Sequence, residues 1–131
     1  MLKLLKNLRA ARTFHRAAQA MEAGNYSRVT ELLEHFEASA YFVAKAELFR
    51  AMARHRQKKY DEAIEFYDSF ISDHAENMPL KDREYVKEYA LFFRSRAAAK
   101  LDPNEQLYSS KEKLKELAKE APFLTRNEFN L

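Results

Sequence analysis

One glycine, Gly24, serves all 131 residues, and this scarcity restricts the folds open to the chain more than any other feature. Tight hairpin turns and phosphate-cradling loops both need several positions without a Cβ, either at positive φ or in close approach to a ligand. A turn-rich all-β fold and most nucleotide-binding folds are therefore not expected. The absence of cysteine removes disulfides, thiolate nucleophiles, zinc fingers and iron–sulfur sites. The chain is 47% hydrophobic and 33% charged, which is enough apolar material for one core and one domain spanning 1–131.

Helical spacing fills what remains. Ala10, Phe14, Ala17, Ala18 and Met21 fall at i, i+4, i+7, i+8 and i+11, and Gly24-Asn25 then stops the run with an αL-capable residue beside a cap former. Tyr26, Val29, Leu32, Leu33 and Phe36 make a second stripe, and Glu37-Ala38-Ser39 leads into a third carrying Leu48, Ala51, Met52 and His55. A further helix is expected from near Pro79 to Lys100, because proline suits a first turn and Asp102-Pro103 ends the run. Turns are thus expected near Gly24, Ser39, Lys58, Pro79 and Asp102. The terminal helix, with Leu107, Leu114, Leu117 and Ala118 as its apolar face, has two possible starts: a capping box from Asp102 to Glu105, or Ser109 with Glu112.

The first two stripes repeat. Adding 34 carries Phe14 to Leu48, Ala17 to Ala51, Ala18 to Met52, Met21 to His55, Tyr26 to Tyr60, Val29 to Ala63, Leu33 to Tyr67 and Phe36 to Phe70. With about four residues inserted around Asp73 to Pro79, Val86, Tyr89, Ala90 and Phe93 take the places of Leu48, Ala51, Met52 and His55, with Tyr89 departing from a small-residue slot. A helix–turn–helix period of this length resembles the tetratricopeptide repeat, and Tyr60-Asp61-Glu62-Ala63-Ile64-Glu65-Phe66-Tyr67 is similar to that family's second-helix motif. The first helix fits if its turn is one residue shorter than the family's.

The resemblance implies an all-α fold of about six helices in antiparallel pairs, stacked as a short right-handed superhelix with units near 10–38, 44–72 and 80–120. It also implies a non-enzymatic adaptor or chaperone-like module that holds a peptide or partner helix in a concave groove. In its register the groove takes Arg12, His15, Gln19 and Glu22 from the first helix, and Ala46, Phe49, Ala53 and Arg56 from the next. The third unit adds Glu84, Lys87, Leu91 and Arg94. An exposed Phe49 among Arg12, Arg56, Lys87 and Arg94 would suit a peptide with an aromatic or leucine anchor beside acidic residues. Relatives that bind chaperone C-termini carry Lys and Asn at positions held here by His15, Gln19, Phe49 and Ala53, so that partner is not expected.

Charge is uneven. Residues 1–20 hold Lys3, Lys6, Arg9, Arg12 and Arg16 without an acid; the remaining 18 of 23 basic residues face 20 acids, giving −2 for the rest and +3 overall. Leu4, Leu5 and Leu8 point away from the stripe of Phe14, Ala17 and Met21, so they need another cover. A sister chain, the C-terminal Pro122-Phe123-Leu124 with Phe129 and Leu131, or a membrane surface compete for that role, with protein contact first and lipid second. No apolar run approaches a membrane span, so the chain is expected to be soluble and cytoplasmic.

Motif chemistry gives no enzyme. The residues four after His15, His35, His55 and His74 are Gln19, Ser39, Lys59 and Met78, so no metal-binding histidine pair exists at helical spacing. Glu31 and His35 read as a surface ion pair and His55 as a satisfied core histidine, and no serine has an activating context. No catalytic residue, metal or cofactor is expected. Arg50, Arg54, Arg56, Lys58 and Lys59 form a basic run, but Glu47 and Asp61-Glu62 flank it, which favours a solvated face over nucleic acid.

Overall fold

The structure is a computed structural model describing residues 2–104 and 111–120. Among them are six α-helices and no strand: α1 (Leu2–Glu22), α2 (Tyr26–Leu33), α3 (Ala40–Arg56), α4 (Tyr60–Ser69), α5 (Leu80–Leu101) and α6 (Lys111–Glu120). The all-α class and the helix count agree with the sequence reading. Glu105, Leu107, Ser109 and residues 122–131 lie outside the described residues, as does the side chain of Ala118.

The ends of α1 and α3 are built alike. Asn25 N–H bonds the Ala20 carbonyl at 2.8 Å and Gly24 N–H that of Met21 at 3.1 Å; Lys59 bonds Arg54 at 2.9 Å and Lys58 bonds His55 at 3.0 Å. Each pair closes a Schellman motif, which ends a helix by placing one residue in the left-handed region. That residue is Gly24 (φ 76°) in the first turn and Lys58 (φ 63°) in the second, 34 positions on. The residues before α2 and α4 match too, Asn25 at φ −90°, ψ 73° and Lys59 at φ −92°, ψ 71°. Asn25 also caps α2, its Oδ1 accepting from Arg28 N–H at 3.3 Å.

The two second helices then diverge. The chain leaves α4 through a π-helical turn (Phe70–His74) and a 3-10 turn (Ala75–Asn77). This irregular stretch lies where the repeat register needs extra residues. Phe70, Ala75 and Met78 are buried along it, so the detour fills the core rather than leaving it. Arg83 Nη2 fastens it to α5, donating to the Glu76 carbonyl at 2.8 Å and the Met78 carbonyl at 3.1 Å.

Helix α3 is the centre of the molecule, packed against α1, α2 and α4. It buries Ala44, Lys45, Ala46, Leu48, Phe49, Ala51, Met52 and Ala53, residues that span well over half of its circumference. Such a helix has neighbours on more than one side. This corrects the groove assignment of Ala46, Phe49 and Ala53, which are 2%, 1% and 0% exposed; the Phe49 ring lies 4.6 Å from that of Phe14. The counterparts of Phe49 and Ala53 one repeat earlier, His15 and Gln19, are exposed because they lie on the side of α1 away from the buried Ala10, Phe14 and Ala17. Ala17, Ala51 and Ala63 are each fully buried, as expected of small residues where helices meet closely.

Candidate functional site

Between α3, α4 and α5 lies a cavity of about 120 Å³ lined by Met52, His55, Arg56, Tyr67, Tyr89 and Phe93. Each helix contributes through its register: Met52, His55 and Arg56 end α3, Tyr67 sits on the buried stripe of α4, and Tyr89 and Phe93 are one turn apart on α5. His55 Nδ1 and the Tyr67 hydroxyl are hydrogen-bonded at 3.1 Å, with the direction set by the imidazole tautomer. The His55 ring meets Tyr60, Tyr67 and Phe93 edge-on at 5.8, 5.9 and 6.2 Å between centroids. Tyr89 donates its hydroxyl to Met52 Sδ at 3.8 Å.

Burial, with smaller contributions from the charges of Arg56 and Lys100, holds the His55 imidazole below its ordinary value of 6.5. Burial likewise pushes both phenols up, Tyr67 well above 10.0 and Tyr89 strongly, with a neighbouring tyrosine adding to each shift. The cavity therefore presents a neutral imidazole and two protonated hydroxyls. Arg56 is exposed at its edge, its guanidinium 6.0 Å from the Tyr26 ring centroid. Such groups can donate hydrogen bonds to a guest but include no activated nucleophile.

A second feature is the outer face of α1. Leu8, Ala11, Arg12, His15, Arg16 and Gln19 line one shallow depression, bringing Leu8 together with three residues read as groove. Leu2, Leu4, Leu5 and Leu8 are 85%, 63%, 51% and 54% exposed.

The remaining groove residues are dispersed. Lys87 is exposed and Leu91 half-buried on α5, while Arg94 is turned toward α4, its Nε donating to Asp68 Oδ1 at 2.5 Å. In the basic run, Arg50 pairs with Glu47 at 3.0 Å and lies 4.4 Å from the Phe66 ring centroid, and Arg54 Nε lies 3.7 Å from Glu62. Those two arginines answer internal acids and rings. Lys45, 4% exposed with its ammonium 4.4 Å from the Phe14 ring centroid, was not singled out by the sequence, since its counterpart one repeat earlier is the unremarkable Ala11. The cavity itself left a readable trace: Met21 and Leu33, apolar in the first repeat, become His55 and Tyr67 in the second.

Among the described residues no group of histidines and carboxylates could hold a metal ion, and no helix is long and apolar enough to cross a membrane. Comparison of the chain with protein-family models, with curated proteins and with solved structures found no match.

Proposed function

We propose that the chain is a non-enzymatic protein-interaction module, a short tetratricopeptide-like superhelix that binds an acidic segment of a partner protein. The recurrence of one helix-ending turn at Gly24 and Lys58 supports the repeat build, since equal turns set equal hairpins. The functional reading is carried by the outer face of α1, where Leu8 shares a depression with Arg12, His15, Arg16 and Gln19. With Phe49 in the core, Leu8 takes over as the apolar contact, and the arginines steer and orient an acidic chain. Selection of a random peptide library on the full chain tests this. Enriched peptides should combine acidic residues with a leucine or aromatic anchor, and Arg12→Glu with Arg16→Glu should weaken them by about tenfold or more. Enrichment of basic peptides, or affinity indifferent to the charge reversal, would overturn the reading.

A second reading is a homo-oligomer held through the N-terminal leucines. It is favoured by the exposure of Leu2, Leu4, Leu5 and Leu8 at one end of one helix.

A further inference from the structure

We propose that the cavity between α3, α4 and α5 is a binding site for a carboxylate on a short apolar stem, separate from the peptide surface on α1. The repeat provides an internal control. In the register of the first unit, Met52, His55, Arg56 and Tyr67 correspond to Ala18, Met21, Glu22 and Leu33, and Tyr89 to the small Ala51. Apolar Met21 and Leu33 thus serve where His55 and Tyr67 stand, Leu33 being 1% exposed, and an acid, Glu22, stands where Arg56 does. The second unit supplies an imidazole, a phenol and a guanidinium there and α5 a second phenol, with a space of about 120 Å³ among them. One water occupies roughly 30 Å³ of liquid, so the space admits a group of several heavy atoms.

The sign of the site follows from its charges. No acid lines the cavity, the charged groups acting on His55 are Arg56 from α3 and Lys100 from α5, and α4 contributes only the neutral Tyr60 and Tyr67. Among the described residues no carboxylate forms an ion pair with Arg56. An anion would receive charge-assisted hydrogen bonds from the guanidinium and neutral ones from the phenols. The hydroxyl of Tyr89 is bonded to a thioether, an acceptor that a carboxylate oxygen outcompetes. With Arg56 the one cation in the cavity lining, a single negative charge suits the site better than a phosphate dianion, whose desolvation one lining cation offsets poorly. Met52 and Phe93 form apolar wall for methylenes, as on an acidic side chain or a small aliphatic acid.

The ring resonances of His55 report occupancy directly, with His35 and His74 as controls in the same spectra. The intact protein is titrated by nuclear magnetic resonance with propionate, with N-acetyl-glutamic acid α-amide, with inorganic phosphate, and with chloride at matched ionic strength. Saturable shifts of His55 with the carboxylates, accompanied by a rise of its pKa because an adjacent anion favours imidazolium, are the expected result. Arg56→Gln, at an exposed position, and Tyr89→Phe, which keeps the ring, should each weaken the carboxylates by about tenfold. Tighter binding of the glutamyl amide would assign the ligand to a protein side chain, and tighter binding of propionate to a free small acid; both support the site. Shifts no larger than with chloride, saturation by phosphate alone, or unchanged titration of the Arg56→Gln protein would overturn it. Arg12→Glu should leave His55 unmoved, so failure here and failure of the peptide reading are told apart.

Discussion

Lys58 holds a backbone conformation that costs a residue with a Cβ about 1 kcal/mol, and it does so where the earlier turn uses the chain's one glycine. Lys58→Gly should therefore raise stability by about 0.5–1 kcal/mol, part of the relief being offset by a freer unfolded chain. Gly24→Ala should do the reverse by about 1 kcal/mol. Since nothing lies within 4 Å of an added Cβ there, backbone strain alone sets that cost. Urea denaturation of the two variants measures both, and a stabilised Gly24→Ala protein would refute the account. His55 adds a pH dependence. Its folded-state pKa lies below the 6.5 of the free side chain, so the unfolded chain binds the extra proton first as the pH drops. Its contribution to stability is complete above pH 6.5 and is lost as the pH falls through the folded value. His55→Gln should flatten that acid limb of the urea midpoint against pH, and an unchanged slope would show that the imidazole does not carry it.

Helices rather than residues decide which parts of this fold can be read from sequence. The stops at Gly24-Asn25 and at Asp102, and the start after Pro79, were legible because each rests on local chemistry: an αL residue, a side-chain cap, a missing N–H; the stop near Lys58, where no local residue marks it, coincides with Gly24 plus the 34-residue period. The core stripes of α1, α2 and α4 were legible because those helices bury one face. For α3 only the stripe of Leu48, Ala51 and Met52 was legible, since a 3.6-residue period identifies the face turned to one neighbour and cannot show that a second neighbour covers another side. Phe49, Ala53 and Lys45 are buried for that reason. The π and 3-10 turns after α4 left only a register gap, because no local residue demands them. On α4, which packs against both α3 and α5, Ala63 is fully buried on the stripe that also carries Tyr67. Ala63→Leu should then force the helices apart at a cost of about 1–3 kcal/mol, readable as a lower urea midpoint. A neutral effect would mean that the helices do not meet closely there.

For the molecule as a whole the exposed apolar surface lies at its N-terminal end, where Ala10 is the first buried residue of α1 among the described ones. Leu2, Leu4, Leu5 and Leu8 are each at least half exposed, and burying one leucine is worth about 1.5–3 kcal/mol, so covering several gives a contact real affinity. If a sister chain provides the cover, two stretches each carrying Lys3, Lys6, Arg9, Arg12 and Arg16 without an acid come together. Their repulsion is screened as salt rises, so self-association should strengthen with ionic strength, whereas attraction to an anionic lipid surface should weaken. Light scattering over a concentration series at low and high salt separates these behaviours. Leu4→Asp with Leu8→Asp should remove the mass increase while leaving the melting temperature of the monomer nearly unchanged. The replaced side chains touch little of the core, and acids in the first turns suit the positive end of the helix dipole. Interfacial helices that bind lipid well present a larger apolar face than two turns offer, so binding to anionic vesicles should be a minor effect of the same substitutions. A chain that stays monomeric at every salt concentration, with peptide binding unaltered by the double substitution, would return the leucines to ordinary solvent-exposed positions.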